Sequence, residues 1–221
     1  MQAIGHLLPI AVAVAVSSVP ILVAMVLLLS PQRSRTALPY LIGWVAGIAS
    51  LLSVCALIAH ALPARSSATE PDVWIGVGEI LVGLALVVLG VLTFRRRGRA
   101  KTTTLPMGLG SVSRLGAWSS LALGFVLNLR PKGLLLAVAG GLVLRADAGS
   151  VPMAIVAVIV FTVIAASTVA TPVIAVTVAP GKTEPTLARV QEWMLSNGGV
   201  LTAAILVLIG VVVFGMGLVR L

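Results

Sequence analysis

Two stretches, Ser17-Ser18-Val19-Pro20-Ile21-Leu22 and Asn128-Leu129-Arg130-Pro131-Lys132-Gly133, decide how this chain folds. Each places a proline inside a long apolar run, and the two prolines lie 111 positions apart in 221 residues. A helix broken in lipid frees backbone groups that cost several kcal/mol unless they are buried in protein or line a cavity. Two such breaks at corresponding places in two halves of a chain point to a midplane site in a repeat-built carrier. The second break also carries Arg130 and Lys132, where charge is expensive and is kept for a task.

Composition supports a membrane setting. The chain is 59% hydrophobic and 10% charged, with a mean hydropathy of +1.17. Such a chain has too little polar surface to cover a soluble domain. A formal net charge of +9 raises the question of nucleic acid. The cations, however, fall in short loops between apolar runs, with no basic-aromatic surface, so no nucleic-acid partner is expected. Cys55 is the single cysteine, which excludes disulfides, CxxC redox chemistry and cysteine-rich metal sites. It reads as a small packing residue.

A span needs about 20 apolar residues. Six stretches qualify: 4–30, 37–62, 73–94, 116–145, 151–179 and 198–220. The start of the chain lacks the basic region of a secretory signal, so the first stretch is read as a retained span. Tyr40, Trp74, Trp118 and Trp193 stand near span ends, where interfacial anchors are expected. One set of loops and ends holds Arg33, Arg35, Arg95, Arg96, Arg97, Arg99, Lys101, Arg114, Lys182 and Arg189; the other holds only Arg65, Arg145 and Arg220. The positive-inside rule then puts the first set in the cytoplasm and both termini outside an inner (cell) membrane. The basic stretch after Phe94 is a topology determinant first, and a surface for anionic lipid second.

Three spans per half is an odd number, so the halves run in opposite directions. The expected fold is an all-α polytopic membrane protein of six transmembrane helices. They form two inverted three-helix repeats, with helices 1 and 4 broken at Pro20 and Pro131. The organisation is one transmembrane domain over 1–221. Repeat 1 covers 1–94, a cytoplasmic loop 95–115, and repeat 2 covers 116–221. Within repeat 2, residues 184–195 read as an amphipathic interfacial helix ending at Asn197-Gly198-Gly199, with Leu187, Val190, Trp193 and Met194 on one face.

The candidate site follows from the breaks. Ser17 or Ser18, and Asn128, are expected to cap the half-helices that begin near Pro20 and Pro131, whose positive ends point at the bilayer centre. Arg130 and Lys132 make that point attractive to anions. Glu79 is the one acid well inside a span; it pairs with Arg130 or Lys132, acts as a protonation site, or faces an outer vestibule, and the residues leave these open. Thr168 and Thr171, beside Pro172, suggest a second irregularity lining the cavity. Gly43, Gly47, Gly83, Gly140, Gly141 and Ser167 read as helix-packing positions. His6 and His60 lie near outer span ends without metal-ligand spacing. No nucleophile elbow, phosphate loop, catalytic carboxylate pair or zinc pattern is present, so no enzyme activity, cofactor or metal is expected.

Three segments carry a family resemblance: Pro20 to Ser30, Leu41-Ile42-Gly43-Trp44-Val45-Ala46-Gly47, and Asn128 to Leu136. They resemble the LysE superfamily of exporters, most closely the peptidoglycolipid addressing protein (GAP, or sulfolipid-addressing) branch. The superfamily's Asn-Pro-Lys-Asn motif departs here, because Leu129 and Arg130 intervene and Gly133 stands in the last place. The resemblance carries to Pro131 and Lys132 and more weakly to Asn128. It implies two three-helix repeats and export of lipids or glycolipids to the cell envelope. The electron-carrying DsbD/CcdA type shares the repeat plan but needs paired membrane cysteines, which this chain lacks.

The function expected is export or flipping of an anionic lipid or lipid-linked headgroup by alternating access. Export of a small solute, such as an amino acid or ion, is one alternative; a non-transporting scaffold for envelope-lipid synthesis is another. A membrane lipid is the expected partner, and a homo-oligomer is left open.

Overall fold

The computed structural model describes residues 2–61, 73–96, 115–178 and 180–219, and the described residues form helices joined by short turns, with no strand among them. In chain order the helices are α1 (Gln2–Ala15), α2 (Ser18–Leu28), α3 (Arg33–Ala61) and α4 (Val73–Arg96). There follow α5 (Ala117–Val126), a 3-10 turn (Leu127–Leu129), α6 (Pro131–Asp147), α7 (Val151–Val178) and α8 (Pro180–Val219). Four helices are long and apolar enough to cross a membrane, or up to six if each bent pair counts as one. The outward faces carry large apolar side chains, among them Leu57, Ile58, Leu81, Val163 and Leu208. A surface of that kind belongs in lipid, and the chain is a multi-pass membrane protein.

Both breaks are present. α1 and α2 meet at 49°, and the 117–129 and 131–147 segments meet at 66°. The first break sits at Val16-Ser17 rather than at Pro20, which lies in the first turn of α2. There its missing N–H would have had no intrahelical acceptor in any case. Pro131 is the first residue of α6. Two carbonyls beside the first break are held from other helices. Thr168 Oγ1 donates to the Ala15 carbonyl at the end of α1, and Tyr40 Oη donates to the Pro20 carbonyl at 2.8 Å.

Tyr40 is therefore not an interfacial anchor. It is wholly buried, and its hydroxyl fixes the start of α2. Tyr40→Phe is expected to lower stability by about 1 kcal/mol, read as a lower thermal midpoint in detergent with little change in yield. Trp74, Trp118 and Trp193 are exposed, as anchors should be.

α2 occupies the middle of the bundle. All its residues except Val19 are buried, against α3, α7 and α8. A helix apolar all round and buried all round is what its uniform sequence requires. Around it α1 packs on α6 and α7, α3 on α5, α6 and α7, and α4 along α8 and against α6.

Two expectations about the second half fail. No helix ends at Asn197-Gly198-Gly199: the 184–195 segment runs into the last span as one 40-residue helix. Ser196 Oγ and Asn197 Nδ2 turn back onto the Trp193 carbonyl at 2.9 and 3.2 Å instead of opening a turn. Gly198 lets α8 approach α2, since a Cβ there would lie 3.0 Å from that of Ser18. In the segment itself Leu187 and Met194 are buried while Val190 and Trp193 are exposed. Nor is there an irregularity at Pro172, since α7 is continuous through it. Arg65, the basic residues between Arg97 and Arg114, and Arg220 lie outside the described residues.

Candidate functional site

The two breaks meet. Val14, Ser17, Ser18, Val19 and Pro20 from the first, and Leu127, Asn128, Arg130, Pro131, Lys132, Gly133 and Leu136 from the second, line one cavity of about 290 Å³. Trp44 of α3, Leu89 and Thr93 of α4, and Thr202 and Leu206 of α8 complete its wall. Every break residue singled out from the sequence is brought together here.

The capping roles are different from those expected. Ser17 is the N-cap of α2 but makes no side-chain cap bond. Ser18 lies inside α2, and its hydroxyl pairs with that of Thr202 at 2.9 Å. Arg130, not Asn128, is the N-cap of α6, also without a side-chain bond. Asn128 instead donates to the Gly124 carbonyl at 3.1 Å and reaches the Trp44 carbonyl at 3.4 Å. It thus closes the end of α5 and ties it to α3. Gly133 sits against the Asn128 carbonyl, where any side chain would collide with backbone. That contact explains why the position is glycine.

Uncapped first turns leave N–H groups without an intrahelical acceptor. In α2 these belong to Ser18 and Val19, and in α6 to Lys132 and Gly133; all four residues line the cavity. The positive ends of two helix dipoles therefore converge on one space. Lys132 Nζ is buried with no hydrogen-bond partner among the described residues, and the same holds for Trp44 Nε1. Arg130 is half-buried beside them. Among the described residues that line the cavity, none is acidic. The space offers donors, two cations and few acceptors, and the ligand chemistry it fits is an anion with several acceptor oxygens.

Glu79 does not belong to this space. It is 0% exposed, so it does not face a solvated vestibule. It lies ten residues before Leu89 on α4, about 15 Å of helix rise away, and its neighbour Gly78 packs on Leu142 in the far part of α6. Glu79 is not among the residues that line the cavity with Arg130 and Lys132. Thr168 and Thr171 do not line this cavity either. Thr168 holds the end of α1 as described, and Thr171 Oγ1 donates to the Ser167 carbonyl on an exposed face at 2.7 Å.

Trp44, Thr93 and Thr202 were not among the expected site residues. Trp44 carried a signal: it stands eleven residues into α3, far from the interface where tryptophan normally sits, with an indole N–H that needs an acceptor. The two threonines carried none, because a hydroxyl in an apolar helix satisfies itself on the preceding turn. Thr93 does so, donating to the Leu89 carbonyl at 2.7 Å.

A helical membrane protein with two interrupted spans meeting around a donor-rich central cavity is the class that these features define. Within that class the chain matches the family described as Sap, sulfolipid-1-addressing protein, over residues 7–219, and it belongs to that family. No curated protein and no solved structure matches it.

Proposed function

We propose that this protein carries the anionic headgroup of a membrane lipid or glycolipid across the bilayer by alternating access, without catalysing a reaction. The observation that carries this reading is the convergence of Arg130, Lys132, the Trp44 indole and two uncapped helix N-termini on a cavity with no acidic wall. The family's description, sulfolipid addressing, supports an acidic lipid as the cargo. A volume of about 290 Å³ suits a headgroup and leaves the acyl chains outside in the membrane, as a carrier open to lipid requires.

The helix contacts support two inverted repeats. Exchanging the halves turns the α3–α5 contact into α7–α1 and the α4–α6 contact into α8–α2, while α4–α8 and α3–α7 map onto themselves. All of these contacts occur. Arg33, Arg35, Arg95 and Arg189 fall at or toward one end of the bundle by helix direction, which favours that end as cytoplasmic and the N-terminus as external, in an inner membrane.

A second reading has one observation in its favour: the same volume also accommodates a small free anion. Purified protein in vesicles separates the two. Movement between leaflets of a lipid with an anionic, fluorescently tagged headgroup is expected to exceed that of a choline-headgroup control by tenfold or more. Exchange of a small anion without movement of the lipid would overturn the lipid reading.

A further inference from the structure

The contacts between α4 and α8 repeat themselves. A Cβ on Gly90 would meet the Ala203 carbonyl and the Val207 side chain, and one on Gly217 would meet the Gly76 carbonyl and the Ile80 side chain. Between these contacts Gly83 faces Gly210 and Phe214, while Gly210 faces Gly83 and Val87. Each contact becomes its counterpart by a shift of 127 positions between α4 and α8. The same shift matches exposure: Leu81 and Leu208 are 60% and 63% exposed, Leu84 and Val211 52% and 56%. The two helices are antiparallel, so a two-fold axis passes between Gly83 and Gly210. Every residue on one side of that crossing has a mate on the other.

The central cavity lies on one side only. α4 supplies Leu89 and Thr93, which follow Gly83, and α8 supplies Thr202 and Leu206, which precede Gly210. Ile75 and Glu79 are the mates of Thr202 and Leu206. Both are buried, and neither lines the cavity. We propose, on the carrier reading above, that Glu79 works in the second state of the carrier. When the bundle opens on the opposite side of the axis, Glu79 takes the place that Leu206 has now and lines the space from which the anion leaves.

The helices around the axis agree. On the side of Glu79, α1 packs on α6 and α8. Leu7 lies against Gly140, two residues along α6 from Leu142, on which Gly78 packs. His6 Nδ1 is 2.8 Å from an Asp147 carboxylate oxygen in the same place. Exchanging the halves matches α1 with α5, α6 with α2 and α8 with α4. Yet among the described residues α5 packs on neither α2 nor α4 to a comparable extent. Its Gly124 lies against Trp44, a cavity residue, so α5 is on the open side. If α5 closes on α2 and α4 while α1 leaves α6 and α8, the breaks stay at the centre and the opening crosses the axis. Packed interfaces change between discrete arrangements of this kind.

The exchange is chemically one-sided. The present wall carries Arg130 and Lys132 and, among the described residues, no acid. The opposite wall carries Glu79 where this one has leucine. A carboxylate facing a bound anion repels it and competes with it as an acceptor for the same charged donors. The headgroup is held on the side where it loads and displaced on the side where it leaves.

The full chain in sealed vesicles, uniformly oriented and with Cys55→Ala removing the single native thiol, tests this. A small charged methanethiosulfonate reagent is added to one side at a time. The Thr202→Cys variant is expected to react from the side of the α4 C-terminus, and the Ile75→Cys variant from the opposite side. Each is expected to react at least tenfold faster than Leu81→Cys, which faces lipid. Met216→Cys, the mate of Leu89, replaces Ile75→Cys should that variant not fold. A disulfide between His6→Cys and Asp147→Cys, joining α1 to α6, is expected to slow the Ile75→Cys reaction at least tenfold and spare that of Thr202→Cys. Glu79→Gln is expected to slow movement of the tagged anionic lipid at least fivefold without loss of affinity for phosphatidylglycerol. Leu206→Glu, but not Leu206→Gln, is expected to lower that affinity at least tenfold. Ile75→Cys and Met216→Cys both unreactive, while the tagged lipid still moves, would overturn the second site and leave the carrier reading intact. Unchanged movement in Glu79→Gln would overturn its role in release. Reaction from the expected sides with no lipid movement by the unaltered chain would overturn the carrier reading, and the role of Glu79 with it.

Discussion

Replacing Lys132 with methionine and Arg130 with glutamine is expected to weaken binding of an anionic headgroup by about 100-fold or more, and at the same time to raise the thermal midpoint. The two effects have one cause. Lys132 Nζ is buried with no hydrogen-bond partner among the described residues, and a buried ammonium whose hydrogen bonds are unmade is a net cost to the fold. Methionine keeps the length and removes the charge, so stability is expected to rise by about 1 kcal/mol or more. Binding moves the other way, because each charge-assisted hydrogen bond to an anion contributes about 1.5–3 kcal/mol, and about 1.4 kcal/mol is a factor of ten. A purely structural role for the two cations, holding backbone carbonyls across the break, predicts the opposite sign for stability. Thermal midpoints with and without an anionic lipid distinguish the two: loss of the ligand-induced shift together with a higher starting midpoint supports the site. A lower midpoint with the shift preserved would show that the cations are structural.

The broken helices and the residues at them were legible because a proline or a pair of cations has a large energetic consequence in lipid, whatever surrounds it. Ser17, Ser18, Pro20, Asn128, Arg130, Pro131 and Lys132 all reach one cavity for that reason. What those residues do individually was less legible. Asn128 looks like a helix cap in one dimension, but the α3 carbonyl that it meets is 84 positions away. Tyr40 looks like an anchor until α2 is seen to pass through the bundle's centre, where the Pro20 carbonyl takes its hydroxyl.

Asn197-Gly198-Gly199 failed as a stop signal because turn chemistry describes competition with water. Within the bundle, Gly198 works instead as a thin place in α8, beside Ser18. Thr168 and Thr171 share a helix and a spacing of three, yet only Thr168 meets the end of α1. Which of two hydroxyls faces a partner depends on helix rotation, and an almost uniformly apolar helix carries no pattern that fixes it.

Gly124→Val is expected to prevent recovery of folded protein altogether. Lipid tails are as apolar as leucine, so spans are held together by close packing and not by exclusion of water. Between α3 and α5 that packing is backbone against backbone. A Cβ on Gly124 would meet the Tyr40 carbonyl and the Trp44 amide, and one on Gly43 would meet the Leu121 carbonyl. Neither neighbour is a side-chain tip able to swing aside. Even Gly124→Ala is therefore expected to cost about 1–3 kcal/mol, the usual scale for overpacking. Gly199 provides the control. It lies in the interior of α8 with nothing within 4 Å of a new Cβ, so Gly199→Ala is expected to stabilise by up to about 1 kcal/mol through helix propensity. Yield and thermal midpoint in detergent, measured side by side, check the pair. If both alanine variants behaved alike, the seam would not be what holds α3 to α5. Gly47→Ala discriminates further, since its Cβ would press first on the Asn128 side-chain amide, with the Phe125 carbonyl farther off at 3.1 Å. That amide can shift, so the fold should survive. What should suffer is the tie between Asn128 and Trp44, and with it the shape of the cavity in which the headgroup is held.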